Sequence, residues 1–354
     1  MKNFDTRVYN ISDFIEWRDA KFLDLSPDFQ RRSVWTEKAK SYLVDTVIRG
    51  KPVPKILITQ RLEAKRNVRV VVDGQQRLRA LLDFYDGNFK ISRAHNKEYA
   101  GRTYDSLPQE VKDDFLKYEI GVDLLYDIPY RDILDIFARI NTYTVKLNKQ
   151  ESRNAQYLGF FKQTSYSLGY RYVEYLLCAG VITKSQVTRM AEAELASDLL
   201  MAITGGVQSN KNLDAYYKRY EDEEGGLAKK EEEFDSVMSV IGEIYAPEEV
   251  KNTNWRRIHH FYSLFTAIAH ALYGVKNLEV NRPNIDRHDM GKVRFVLDEI
   301  SAKYDEYTSA EYGDEIPQDY ADFIDRSRRA TTDTASRKDR AEFICVKLSD
   351  ALED

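Results

Sequence analysis

Residues 70–78 of the chain have the sequence Val-Val-Val-Asp-Gly-Gln-Gln-Arg-Leu. The run of valines predicts a buried strand that ends at Asp73, and Gly74 permits the tight turn that must follow. A helical spacing of leucines begins at once and predicts a helix over 75–85. The stretch therefore predicts a strand, a turn and a helix in direct succession, as found in folds that pack helices on a sheet.

Two further short apolar runs predict other strands of the same sheet. They lie at 55–59 and 120–125 and are bounded by turn or charged residues. Helical patterns stand between the strands, over 36–50, where Thr36 is the expected N-cap, and over 130–140. We therefore expect an α+β protein in which residues 1–150 form an α/β domain.

Beyond residue 150 the pattern changes to amphipathic helices, so residues 151–354 are expected to form a mainly helical domain. Helices are predicted over 157–166, 170–179, 186–204, 234–245, 256–273 and 291–304. An acidic run at 221–226 predicts a solvated turn. Segment 326–340 is basic and rich in Ser and Thr, and it leads into a last predicted helix.

Composition limits the classes of protein to which the chain belongs. Of its 354 residues 43% are apolar and 31% charged, which is typical of a globular protein. The chain lacks an apolar run of the ~20 residues that cross a bilayer, and its first five residues lack the apolar core of a secretion signal. With Cys178 and Cys345 far apart, we expect buried thiols and a cytoplasmic protein. A net charge of −5 excludes binding of nucleic acid by bulk charge alone, but not by a local basic surface.

The predicted turn after residue 72 gathers polar groups at one strand end. The exposed N–H groups of a helix N-terminus favour an anion, and Asp73, Gln75, Gln76 and Arg77 are expected to crowd the same edge of the sheet. The alternative is an Asp cap with solvated neighbours. Because capping alone does not require so many polar side chains, we favour a functional cluster.

A second candidate lies just before Thr36. It interleaves two arginines and an amide with aromatic residues, namely Phe29, Gln30, Arg31, Arg32 and Trp35. Arginine pairs with phosphate, aromatic faces stack on bases, and an amide can recognise a base edge. Such a segment is also common on ordinary protein surfaces, so alone it is weak evidence for nucleic-acid binding.

A third candidate surrounds the predicted start of a helix at Asn148, where Glu151 completes a capping box. Capping accounts for both of those residues. It does not account for Arg139, Asn141 and Arg153, which we therefore count as candidate binding residues.

The order of these motifs resembles the N-terminal domain family of the GmrSD modification-dependent restriction enzymes. The resemblance extends over residues 10–160 and depends on the Gln-Arg-x-x-x-Trp segment, Asp-Gly-Gln-Gln-Arg at 73–77 and Arg-Ile-Asn at 139–141. It implies a ParB/sulfiredoxin-like fold, a role in defence against phage and recognition of chemically modified double-stranded DNA. It also implies nucleotide hydrolysis at Asp73, Gln75, Gln76 and Arg77, with Gly74 in the binding turn and 29–35 where relatives sense the modification.

The sequence departs from many relatives because it has no pattern of an appended HNH nuclease. His95 stands alone in a predicted loop, and the pair His259 and His260 is expected on a helix surface, so no metal site is predicted. Any damage to DNA must then come from the motifs above or from a partner nuclease.

Three activities stay open. The first choice is hydrolysis of a nucleoside triphosphate coupled to DNA targeting, with Mg²⁺ and NTP as cofactors, although no Walker GxxxxGK[ST] motif is present. The second is a DNA glycosylase that excises a modified base without any cofactor, since one carboxylate can stabilise an oxocarbenium-like state. The third is a non-catalytic sensor of modified DNA that recruits a separate nuclease.

Overall fold

The computed structural model describes residues 4–25, 35–63, 66–126, 148–309 and 315–353. The chain divides into two compact units, residues 1–146 and 147–354. The first unit contains a mixed sheet and the second is helical, which confirms the expected α+β class. Its assignment to the ParB/sulfiredoxin type stays a prediction.

The described part of the first unit contains five strands and four α-helices. In chain order they are β1 (Phe4–Asn10), α1 (Ile11–Asp19), β2 (Leu23–Asp24), α2 (Glu37–Ile48), β3 (Ile56–Glu63), β4 (Arg66–Asp73), α3 (Gln75–Tyr85), α4 (Gln109–Lys117) and β5 (Glu119–Leu125). The strands predicted at 55–59 and 120–125, the strand ending at Asp73 and the helix at 75–85 are confirmed. The helix predicted at 130–140 lies outside the described residues.

The strand order of the sheet is β1-β5-β3-β4-β2. Strand β3 pairs antiparallel with β4 and parallel with β5, and β1 pairs antiparallel with β5. One face of the sheet packs on the helices, because alternate strand residues such as Ile58, Val71 and Val122 join Leu78 and Phe14 in one core. Residues between them in the strands project to the opposite face.

The described part of the second unit is built from helices around a larger apolar core. They are α5 (Lys149–Gln156), α6 (Phe160–Cys178), α7 (Lys184–Val187), α8 (Ala191–Gly205), α9 (Leu213–Arg219), α10 (Leu227–Ile244), α11 (Pro247–Val250), α12 (Ile258–Tyr273), α13 (Met290–Thr308), α14 (Gln318–Arg328) and α15 (Thr334–Glu353). No helix among the described residues is long and apolar enough to cross a membrane.

Several boundaries in this unit differ from those predicted. The helices expected at 157–166 and 170–179 form one helix, α6, in which Gly169 packs directly on the backbone of Ala193. The helix expected at 186–204 is instead interrupted at Met190, whose φ of +64° is incompatible with a continuous α-helix. The turn expected at 221–226 is present, with positive φ angles at its two glycines.

Burial corrects two further expectations. His260 is buried and His259 largely so, rather than lying on a helix surface, because α12 is covered on several sides and has apolar residues around most of its circumference. Cys345 is buried as expected, but Cys178 is exposed near the end of α6. The basic segment 326–340 also places Arg337 and Arg340 in the interior.

Candidate active site at the strand-to-helix turn

The turn between β4 and α3 is fixed by its glycine. Strand β4 ends at Asp73, Gly74 has a φ of +92°, and α3 begins at Gln75. A Cβ atom at residue 74 would lie 2.9 Å from Cγ1 of Ile56 on the neighbouring strand. Backbone conformation and close packing therefore both require glycine here.

Asp73 and Arg77 form the polar pair of this turn. Nη2 of Arg77 donates to Oδ2 of Asp73 at 2.7 Å, across one turn of α3. The Asp73 side chain is 43% exposed, whereas that of Arg77 is only 15% exposed. Among the described residues, Oδ1 of Asp73 has no hydrogen-bond partner. The turn thus presents one open carboxylate oxygen beside a helix N-terminus.

Arg77 is held on a second side as well. Its Nη1 donates to the carbonyl oxygen of Pro54 at 2.8 Å, just before β3 begins. Both terminal nitrogens of the guanidinium are therefore engaged inside the protein. In this arrangement Arg77 orients Asp73 and joins the start of α3 to the start of β3, rather than facing a ligand.

The two glutamines of the turn differ in burial. Gln75 is buried, and its Nε2 donates to the carbonyl oxygen of Val71 on the preceding strand β4 at 3.3 Å. Gln76 is partly exposed. The four polar side chains predicted to crowd one edge are thus separated: Asp73 and Arg77 meet, while Gln75 turns into the interior.

A second carboxylate lies in the same row of the sheet. Leu57 on β3 is the register partner of both Asp73 on β4 and Asp123 on β5. The β3–β4 pairing is irregular between Leu57 and Ile58, so strand alternation does not fix the face of the Asp73 side chain, but the backbones of Asp73 and Asp123 lie on either side of Leu57. Oδ1 of Asp123 accepts hydrogen bonds from Oγ1 of Thr6 at 2.5 Å and Nζ of Lys55 at 3.3 Å.

Sequence reasoning did not identify Asp123 or Lys55 as site residues. The alternation Ile-Gly-Val-Asp-Leu over 120–124 does place Asp123 on the polar face of its strand. No local signal gives the register that brings it beside residues 66 positions away in the chain, at Leu57.

Comparison with known protein families now adds to this geometry. Residues 11–158 match the GmrSD restriction endonuclease N-terminal domain. The match confirms the resemblance seen in the motifs and supports a protein of the restriction type, which acts on nucleic acid. Comparisons with curated proteins and with solved structures gave no match.

The matched segment 11–158 contains the other predicted binding residues, but few of them are described. Phe29, Gln30, Arg31, Arg32, Arg139 and Asn141 all lie outside the described residues. Trp35 is partly buried and packs against the core of the first unit. It directly precedes Thr36, whose Oγ1 accepts from the backbone N–H of Ala39 at 3.3 Å and caps α2 as expected.

Arg153, near the end of the GmrSD match, is buried in the second unit. Its Nε donates to Asp214 at 2.6 Å, and its Nη1 donates to Oε1 of Gln150 at 3.3 Å. These contacts join the buried Arg153 side chain to a largely exposed carboxylate and a buried amide. They account for Arg153 without any ligand, as the capping box of Asn148 and Glu151 accounts for the start of α5.

The described residues contain no group of three or more His, Cys, Asp or Glu side chains arranged to hold a metal ion. The two carboxylates in the row are two strand spacings apart, about 10 Å, which is too far for both to bind one ion directly.

Proposed function

We propose that this chain is a restriction-type phage-defence protein that recognises modified double-stranded DNA and hydrolyses a nucleoside triphosphate at Asp73. The observation that carries the proposal is the open, oriented carboxylate of Asp73 at the N-terminus of α3. The GmrSD match supports the restriction-type role. We propose that the segment 29–35, with Trp35 at its end, contacts the DNA.

Asp73 has the properties of a residue that orients an attacking water. Its Oδ2 is fixed by Arg77, and its side chain is nearly half exposed, so the second oxygen is accessible. The positive end of the α3 helix dipole favours the negative charge of a phosphate nearby. Hydrolysis of an NTP requires this combination of a positioned water and a stabilised phosphate.

The residues at the turn also fit Mg²⁺. This ion commonly binds proteins through one or two carboxylates and completes its shell with water and substrate phosphate oxygens. Asp73 is the residue that would hold it. When bound with a nucleotide, Mg²⁺ neutralises charge on the phosphates.

The contacts and low exposure of Arg77 favour a second candidate function, base excision. The Arg77 side chain is only 15% exposed and donates to Asp73 and Pro54, so it is poorly placed to clamp a phosphate. What remains at the turn is an exposed, oriented carboxylate. Such a group stabilises the oxocarbenium-like state through which a base leaves its sugar.

One experiment separates the candidates. The purified full chain is incubated with modified and unmodified phage DNA, with and without NTP and Mg²⁺, and phosphate, abasic sites and nicks are scored. We expect phosphate release stimulated by modified DNA, and we expect Asp73→Asn to lose it. The matched control is Asp86→Asn at the other end of α3, where the exposed carboxylate pairs with Arg18.

Each other pattern of products supports a different activity or excludes the turn. Alkali-labile sites formed without nucleotide and lost in Asp73→Asn support base excision instead. Binding of modified DNA with neither product overturns hydrolysis and leaves a sensor that recruits a partner nuclease. Full activity of Asp73→Asn removes the turn from the chemistry altogether.

A further inference from the structure

The Lys55 side chain lies along the face of the sheet that Gly121 and Asp123 share. It lies over β5, where a Cβ atom added to Gly121 would approach Cγ of Lys55 to 3.1 Å. Its Nζ then reaches Oδ1 of Asp123 at 3.3 Å. Because Gly121 has no side chain, the aliphatic part of Lys55 packs against its backbone, and the Asp123 carboxylate binds the Lys55 ammonium group.

The backbone at Lys55 lies next to the turn that contains Asp73. The Pro54 carbonyl that accepts from Arg77 belongs to the peptide bond joining Pro54 to Lys55. The backbone of Lys55 therefore adjoins the Arg77 guanidinium. The side chains of Lys55 and Leu57, two residues apart, share the face on which Asp123 lies, and Leu57 is the register partner of Asp73.

We propose that Lys55 binds a phosphate group of the substrate, and that Gly121 and Asp123 position its ammonium for that contact. This inference rests on the proposed function, in which a phosphate lies beside Asp73. The chemistry recognised is a phosphate oxygen, whether it belongs to an NTP or to the DNA backbone.

The need for such a cation follows from the site itself. Phosphoryl transfer and DNA binding both require positive charge on phosphate oxygens, and Arg77 is already engaged. Lys55 is 57% exposed, and its ion pair with Asp123 is open to solvent. Exposed ion pairs of this kind are weak, so a phosphate can take the place of the Asp123 carboxylate.

The test measures binding and turnover separately in the full chain. Equilibrium dissociation constants are measured for a duplex fragment of modified phage DNA and for ATP and GTP with Mg²⁺, over a range of salt concentration. We expect Lys55→Ala to weaken binding of the ligand that supplies the phosphate by about tenfold. For DNA, the slope of log K against log salt should fall by ~0.9, the value for one lost phosphate contact.

Two further variants test the positioning. Gly121→Val fills the space that the Lys55 side chain occupies without changing any charge, and valine is well accommodated in a strand. It should raise the dissociation constant and the KM several-fold while kcat and the unfolding midpoint stay near wild type. Lys55→Arg, which keeps the positive charge on a long side chain, should recover most of the binding.

Lys40→Ala is the matched control. Lys40 also pairs with an aspartate, Asp83, but this pair lies ten residues further along α3, ~15 Å from the turn. It should leave both dissociation constants unchanged.

Binding by wild type and by the variants distinguishes failure of the Lys55 proposal from failure of the proposed function. If wild type binds and Lys55→Ala binds equally well with the same salt slope, Lys55 is not a phosphate ligand, whatever Asp73 does. If Gly121→Val binds like wild type while Lys55→Ala does not, the positioning role is wrong. If wild type binds neither DNA nor nucleotide, the proposed function and this inference are both overturned.

Discussion

Nη1 of Arg77 lies 2.8 Å from the carbonyl oxygen of Pro54 and donates a hydrogen bond to it. The bond joins the first turn of α3 to the backbone just before β3. Through its other terminal nitrogen the same guanidinium holds Asp73. A single side chain therefore couples the open carboxylate to the neighbouring strand, and its planar fork suits it to bond both partners at once.

Arg77→Ala should lower kcat by about tenfold or more through misplacement of Asp73, since small displacements at a reacting centre cost large factors in rate. The KM should change little, because Arg77 does not face the ligand. Loss of its hydrogen bonds should reduce the free energy of unfolding by about 1–3 kcal/mol. Steady-state kinetics and denaturant unfolding measure both effects.

Arg77→Lys is the informative companion variant. A lysine ammonium lacks the planar fork, so it should keep one of the two contacts and recover kcat only in part. A rise in KM equal to that caused by Lys55→Ala, with kcat preserved, would instead make Arg77 a direct ligand of phosphate.

Gly74→Ala should destabilise the first unit by more than the ~1–2 kcal/mol that a left-handed backbone costs a residue with a side chain. The additional cost comes from the added Cβ atom, 2.9 Å from Ile56. Gly87→Ala is the control, because Gly87 has a φ of +74° but open space where its Cβ would lie. Denaturant unfolding should therefore show a clearly larger loss at residue 74, and equal losses would contradict the packing role.

The strand, turn and helix around Asp73 could be predicted because their causes are local. Valines, a glycine and a helical leucine spacing all lie within residues 70–85, and the Thr36 cap depends only on its own first turn. The same is true of Glu151, which closes the capping box of α5.

Features that depend on the register or on burial could not be predicted in this way. Asp123 comes beside the turn only through strand pairing, and Gln75 and Gln76 differ although they are adjacent in sequence. His260 and Arg340 are interior because helices distant in the chain cover them. Charge and polarity alone indicate a surface position for such residues, and packing of the second unit overrides that indication.

Acid should destabilise the second unit through its buried histidines. Burial, helped by Arg340 and Arg257, lowers the pKa of His259 from 6.5 to about 4. Above pH 6.5 the side chain is neutral in both states, so its contribution to stability is fully present there. Below pH 6.5 the unfolded chain takes up a proton that the folded chain refuses until about pH 4, so stability is lost across this window.

The effect of His259 is the difference between wild type and His259→Gln in how the free energy of unfolding depends on pH. The free energy of unfolding of wild type should fall by ~1.4 kcal/mol per pH unit more steeply than that of His259→Gln between these pH values. The control variant is His288→Gln, which removes an imidazole at an exposed position. Parallel slopes for wild type and His259→Gln would show that His259 is protonated in the folded state.

The basic segment 326–340 contributes to stability through one buried pair. Both terminal nitrogens of Arg337 donate to the carboxylate of Asp198, at 2.7 and 2.6 Å, and the guanidinium lies over the ring of Tyr262. Removing one partner of such a pair leaves an uncompensated charge in the interior, so Arg337→Ala should reduce the free energy of unfolding by about 3–5 kcal/mol. Arg326→Ala breaks the half-exposed pair with Asp339 in the same segment and should cost less than ~1 kcal/mol. Denaturant unfolding of both variants should show this contrast, because the cost depends on whether water can solvate the charge left behind.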